Sequence, residues 1–384
     1  MMNLGLLALA CGTFALGVAE FSMMGILTAI AADLSVSIPE AGDFISSYAL
    51  GVSAGAALPV FFRRFPYKTI LLGLSAAIVV GNLLAAFSSG YYTLLAARFF
   101  AGLPHGGFFG VGAIVAVSLV APGARATAVA IMILGMTFAN LAGVPVATWL
   151  TFTWSWRYTF LLAAFGGVLA ILGIWRFIPF REPEAPKSVK REFNFLKFPA
   201  PWLIYAATFL GQGSVYCWYS YMEPIMSEVA HIPPHHIKWI MIVAGAGMLV
   251  GGMLCGRLAD KFRPSLVSGS VACVIVPTLI GIYFFSSIPW IATTLTFIGA
   301  AALFGLGGPM QYLIVRFSRG GEILGGAGIQ IAFNVSNAFA AWLGGVAIDR
   351  GLGVTAPALF GVPMAIACAA ILIWFSREYK NLNA

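Results

Sequence analysis

Twelve long apolar stretches make up most of this chain, at approximately 4–31, 41–62, 70–88, 93–119, 127–150, 157–178, 202–224, 237–258, 265–286, 290–315, 323–347 and 355–376. About 20 apolar residues is the length a helix needs to cross a bilayer. In lipid, every backbone N–H and C=O has to be satisfied internally, as a helix does. Charged residues are 9% of the chain, against roughly 25% in soluble domains. The expected fold is an all-α membrane protein with twelve transmembrane helices.

Topology follows from where the bases fall. With both termini on one side, 17 of the 21 Lys and Arg residues share that side, three (Arg157, Lys238, Arg350) fall opposite, and Arg98 lies within the membrane. Cytoplasmic loops carry the basic excess, so both termini are expected in the cytoplasm, across a bacterial inner membrane. The net charge of +8 is thus a topology signal, and no nucleic-acid partner is expected. The first stretch lacks a basic leader and is too long for a signal peptide; it reads as a retained helix.

The chain also repeats itself weakly. Trp149, Leu150 and Arg157 recur as Trp342, Leu343 and Arg350 at an offset of 193; Leu16-Gly17 recurs as Leu210-Gly211 at 194; Gly51 and Gly55 are echoed by Gly247 and Gly251 at 196. Offsets near half the chain length suggest a duplicated six-helix unit. The expected organisation is an N-terminal six-helix bundle over 1–178, a cytoplasmic linker over 179–201 and a C-terminal six-helix bundle over 202–384. In the linker, Val189, Phe193 and Leu196 stand among Lys187, Lys190, Arg191 and Lys197, a pattern that suits either a short interfacial helix or an extended basic segment.

Two charged side chains, Glu20 and Arg98, fall deep inside apolar stretches. On insertion scales a charge there costs at least roughly 2.5–3.5 kcal/mol, and such residues face a bundle interior or a cavity and mark proton or substrate paths. His105 follows Arg98 by seven residues, nearly the same helix face, with a ring suited to proton relay. Glu20, Arg98 and His105 are the candidate proton-coupling groups. Gln212, Tyr216, Tyr219 and Glu223 recur at helical spacing, as do Gln330, Asn334 and Asn337, with Asn140 in the fifth stretch. Amides and phenols suit hydrogen bonding and ring stacking with neutral polar solutes; the same amides serve equally as interhelical links. Asn140, Gln212, Tyr216, Tyr219, Gln330, Asn334 and Asn337 are the candidate substrate-binding residues. The five cysteines lie in apolar stretches without CxxC spacing, so neither a metal site nor a disulfide framework is expected.

Several segments resemble the major facilitator superfamily. Arg98-Phe-Phe-Ala-Gly102-Leu-Pro-His105-Gly-Gly-Phe-Phe-Gly110 is similar to its fourth-helix motif; Gly135-Met-Thr-Phe-Ala-Asn140-Leu-Ala-Gly143-Val-Pro145 is similar to the antiporter motif of the twelve-spanner drug:proton antiporters. Gly256-Arg-Leu-Ala-Asp260-Lys261-Phe-Arg263 resembles the inter-helix gate motif. Ala19-Glu20-Phe21, Ser155-Trp-Arg157 and Pro199-Ala-Pro-Trp202 resemble the AraJ-type sugar and drug efflux proteins. Three departures stand out. Arg63, beside Arg64, takes the place of the first gate motif's Asp; Arg263 takes that of a glycine; and an extra residue separates Gly143 from Pro145.

The resemblance implies two six-helix bundles working by alternating access. It implies gate roles for Arg64, Asp260, Lys261 and Arg263, and antiporter-motif roles for Gly135, Gly143 and Pro145. The expected activity is proton-coupled efflux of small neutral or weakly cationic, drug- or sugar-like molecules. Rival expectations are a symporter importing sugars or nucleosides and a membrane receptor without transport. No nucleophile–base pair or metal constellation stands at depth, so the chain is expected to be no enzyme. It needs no cofactor beyond the proton gradient. Its partners are substrate, protons and lipid, and it is expected to be monomeric.

Overall fold

Runs of Leu, Ala, Val, Ile and Phe broken mainly by glycine close their own backbone hydrogen bonds only as helices, and helices are what form. The computed structural model describes residues 3–56, 58, 62, 64–180 and 193–379. The first helices are α1 (Leu4–Phe21), α2 (Leu27–Leu34), α3 (Ile38–Gly55), α4 (Tyr67–Ala86), α5 (Tyr91–Ser118), α6 (Arg125–Phe138), α7 (Val144–Thr153) and α8 (Arg157–Phe177). They are followed by α9 (Pro199–Tyr219), α10 (Ile237–Lys261), α11 (Pro264–Phe285), α12 (Pro289–Phe317), α13 (Glu322–Asp349) and α14 (Ala356–Glu378). Among the described residues, ten segments are long and apolar enough to cross a membrane. Parts of the two remaining stretches are helical as well, in α3 and α9, and neither of these helices is among that ten.

The chain divides into two compact units, Met1–Val36 with Ser47–Lys187, and Ser37–Ser46 with Ser188–Ala384. In the first, α1 packs on α6 and α8, and α4 on α5 and α8, around Leu9, Leu16, Leu71, Ile78, Phe108 and Ile174. In the second, α9 packs on α13 and α14, α10 on α12, and α11 on α14, around Ile204, Leu313, Ile314, Leu372 and Phe375. Large apolar side chains such as Leu172, Trp175, Leu254, Phe284 and Trp374 point outward, which suits lipid and not water. The first half of the linker, 181–192, lies outside the described residues; Phe193–Lys197 forms a 3₁₀ turn with Phe195 buried, and the Trp202 indole donates to Leu196 O at 2.8 Å. All five cysteines are unpaired.

With lipid tails as apolar as the helices, close packing holds such bundles together. The repeated glycines supply it. A Cβ on Gly51 or Gly55 of α3 would fall onto the Phe99 or Leu103 carbonyl of α5. One on Gly247 or Gly251 of α10 would fall onto the Phe297 or Ala301 carbonyl of α12. The echo seen in the sequence is therefore the same backbone-to-backbone contact built once in each unit.

Two stretches expected to be continuous are interrupted. After α1 the chain makes a 3₁₀ turn at Ser22–Gly25 and leaves helical geometry at Ile26 (φ −136, ψ 12) before α2. After α9 it departs at Tyr221 (φ −113, ψ 19), makes one turn at Met222–Pro224 and continues as a π turn at Ile225–Val229. The offset from Ile26 to Tyr221 is 195, inside the spread of the sequence repeat. Gly25 disfavours the helix at the first site. At the second, Pro224 has no N–H to return to the Ser220 carbonyl.

Candidate proton-coupling and substrate site

Glu20 is the penultimate residue of α1, directly before the interruption, and is 4% exposed. His105, reached from α5, places Nδ1 3.7 Å from Glu20 Oε2. Tyr48 of α3 completes the cluster: its hydroxyl lies 3.0 Å from the same Nδ1 and 3.5 Å from Leu16 O. Arg98 is fully buried. It donates Nη1–H to Ala19 O at 2.8 Å, and its guanidinium sits 4.3 Å above the Tyr48 ring and 5.5 Å from the Phe160 ring, a cation–π cradle. Phe109 stacks on His105 at 5.3 Å. A carboxyl and an imidazole can exchange a proton once such a gap closes to hydrogen-bond distance, while the arginine stays charged.

The antiporter-like segment grips the helix that carries Glu20. A Cβ on Gly135 would fall onto Ala10 O, and one on Gly143 would stand 2.7 Å from Val18 Cγ2. Between them Ala139–Gly143 forms a π turn. A π turn holds one residue more than an α turn, so it absorbs the extra residue between Gly143 and Pro145. Asn140, in that turn and 4% exposed, donates Nδ2–H to Met136 O at 3.2 Å.

In the second unit Gln212, Tyr216 and Tyr219 are buried on α9 and Asn334 and Asn337 on α13, with Gln330 half-buried. Gln212 donates Nε2–H to Leu303 O of α12 at 3.3 Å, and Asn334 donates Nδ2–H to Gln330 O at 2.9 Å. Each amide is thereby oriented, because a flip would set oxygen against oxygen. Their oxygens, with Asn337 Oδ1, have no hydrogen-bond partner among the described residues. Tyr216 meets Tyr219 edge-on at 6.3 Å and Phe333 at 5.6 Å. Gln212 is thus an interhelical link through its nitrogen and an open acceptor through its oxygen.

Sequence reasoning missed two buried groups. Tyr48 gave no charge signal, and a tyrosine in an apolar stretch reads as packing. Glu223 shows only its spacing in the sequence, near the end of its stretch, with Glu20 as the one acid at depth; the structure buries it fully, in the single turn after the interruption at Tyr221. The residues expected to form a gate lie at or between helix ends. Asp260 and Lys261 close α10 and are exposed, as is Arg64, while Arg263 donates Nη1–H to Ser376 O at 3.5 Å; Arg63 lies outside the described residues. Asp33 belongs to neither group. It accepts from Arg157 Nη1 at 2.7 Å and Trp156 Nε1 at 2.9 Å, and those two bonds, arginine first, hold its carboxyl below the ordinary carboxylate range.

Comparison with known proteins places this architecture. The chain is 41% identical over 380 residues to AraJ of Escherichia coli (strain K12), covering 99% of this chain and 96% of that one. It is 27% identical over 380 residues to the chloramphenicol resistance protein of Streptomyces lividans, covering 97% and 95%. Its fold matches the crystal structure of a D-xylose–proton symporter with a TM-score of 0.75 at 15% identity, over 96% of this chain and 97% of that one. The sequence model of the Major Facilitator Superfamily matches residues 9–223 and 202–383. Paired units, multiple apolar helices and this match together make the chain a multi-pass membrane transporter, not an enzyme, and it belongs to the Major Facilitator Superfamily.

Proposed function

We propose that the protein exports small neutral or weakly cationic organic molecules in exchange for protons. Twelve spans, cytoplasmic termini and alternating access between the two halves frame this reading, in a monomer that needs no cofactor. An all-helical multi-pass chain belongs to a bacterial inner membrane, since outer-membrane spans are barrels. The observation that carries the proposal is Glu20: a buried carboxyl, 3.7 Å from a buried imidazole, at the end of the helix gripped by Gly135 and Gly143. The antiporter-like motif and a relative named for chloramphenicol resistance favour export. The amide oxygens of Gln212, Asn334 and Asn337 favour a cargo that presents hydrogen-bond donors, with Tyr216 and Tyr219 as stacking surfaces, Gln330 placing Asn334, and Asn140 lining the path from the first half. An anion would call for several bases, because a buried unpaired charge is costly.

The test is transport into inside-out vesicles with an imposed proton gradient, against a labelled panel of neutral sugars, nucleosides and small antibiotics including chloramphenicol. The wild type is expected to accumulate a panel member against its gradient. Glu20→Gln is expected to keep binding and lose accumulation. Undiminished accumulation by Glu20→Gln would remove Glu20 from the coupling step, and gradient-driven loss from the same vesicles would identify an importer.

A further inference from the structure

Tyr48 holds a position that no motif assigns. Its ring is clamped beneath Arg98 at 4.3 Å, so its hydroxyl can only turn in place, and that hydroxyl has two acceptors within reach, His105 Nδ1 at 3.0 Å and Leu16 O at 3.5 Å. His105 Nδ1 is also the ring atom that faces Glu20 Oε2. Among the described residues His105 is faced by Glu20 from α1 and Tyr48 from α3, with Arg98 on its own helix. The charged side chains of α4 and α6, which also pack on α5, are Lys68 and Arg125, at or next to their first residues.

We propose that Tyr48 is a positioning residue that keeps the proton of neutral His105 on Nε2, and so keeps Nδ1 open to receive the proton of Glu20. The proposal rests on the coupling role of Glu20 and adds the group that governs it. With Glu20 ionised, the Tyr48 O–H donates to Nδ1, and a ring nitrogen that accepts cannot carry hydrogen. When Glu20 is protonated, its O–H competes for the same lone pair and Tyr48 turns to Leu16 O. Transfer then breaks the O–H bond at Oε2 and forms an N–H bond at Nδ1, leaving a carboxylate and an imidazolium. The Tyr48 oxygen accepts the new N–H while its own hydrogen stays on Leu16 O. The step separates one negative and one positive charge with the net charge unchanged, and the 3.7 Å gap needs to close by under about 1 Å to reach hydrogen-bond distance.

The experiment is pH-titrated infrared difference spectroscopy of the purified full chain, following the carbonyl stretch of protonated Glu20, identified by its absence in Glu20→Gln. Tyr48→Phe keeps the ring under Arg98 and removes the hydroxyl. Without it the ring proton is free to move to Nδ1, where it donates to ionised Glu20 across the gap now spanned only by the ring, so the ionised form is favoured and the band's midpoint is expected to move down by about one pH unit, roughly tenfold. In a His105→Gln background the same substitution is expected to produce no shift, a coupling that a merely structural tyrosine would not show. An unmoved midpoint in Tyr48→Phe, or an equal shift with His105 replaced, overturns the proposal while leaving the Glu20 reading intact. A carboxyl band that Glu20→Gln leaves in place overturns both.

Discussion

Asn334 and Gln212 each have one polar end bonded and the other unbonded among the described residues, which sets their effect on stability apart from their effect on binding. An unmade hydrogen bond on a buried carbonyl costs about 1–3 kcal/mol, so truncation removes a penalty from the empty protein. It also removes an acceptor from a cargo that donates. Asn334→Ala is therefore expected to weaken binding of the transported compound about tenfold, near the upper end of the roughly 0.5–1.5 kcal/mol net value of a hydrogen bond. Thermal stability in detergent is expected to stay level or rise. A fall in both would mark Asn334 as a structural link. Glu20, Arg98 and His105 were legible in the sequence because charge and imidazole are conspicuous in apolar surroundings. Tyr48 was not, since what distinguishes it is the pairing of its hydroxyl with a histidine 57 positions away, and single-sequence patterns hold no record of such long-range contacts.

Helix positions followed from hydropathy, because about 20 apolar residues leave the backbone little choice. The interruptions did not, because Gly25 and Pro224 leave the apolar average of their stretches almost unchanged while altering hydrogen bonding at single residues. The π turn at Ala139–Gly143 lay between: the extra residue before Pro145 was visible, its absorption into a wider turn was not. The glycine echo is where sequence and packing agree most closely. Gly55→Val and Gly251→Val both drive a side chain into a partner carbonyl, of Leu103 and Ala301 respectively. Each is expected to destabilise by about 1–3 kcal/mol, the usual cost of overpacking, read as a lowered unfolding temperature. Gly73→Ala, where an added Cβ meets no neighbouring atom within 4 Å outside its own helix, is the control expected to leave that temperature unchanged or slightly raised. Equal behaviour of all three would break the link between the repeat and the packing.

Across the whole molecule the two halves share a plan but carry different chemistry. The first unit holds the buried carboxyl–imidazole–phenol cluster, and the second holds oriented amides, aromatic rings and the buried carboxyl of Glu223. Among the described residues of the two gate-like segments the one acid is likewise in one half only, at Asp260, among Arg257, Lys261 and Arg263. Asp260→Asn is expected to loosen closure on the cytoplasmic side and raise labelling of native thiols by an impermeant maleimide added from that side; unchanged labelling would remove Asp260 from gating. The interruptions at Ile26 and Tyr221, by contrast, fall at matching places in both halves. Where a chain already lacks regular i to i−4 bonding, a bend there breaks few hydrogen bonds, so these points are the mechanically soft joints of otherwise stiff rods. Each half thus has a built-in pivot, with Glu20 just before one and Glu223 just after the other, so that a small angular motion at either would sweep an acid through an arc while the rest of its bundle stays rigid.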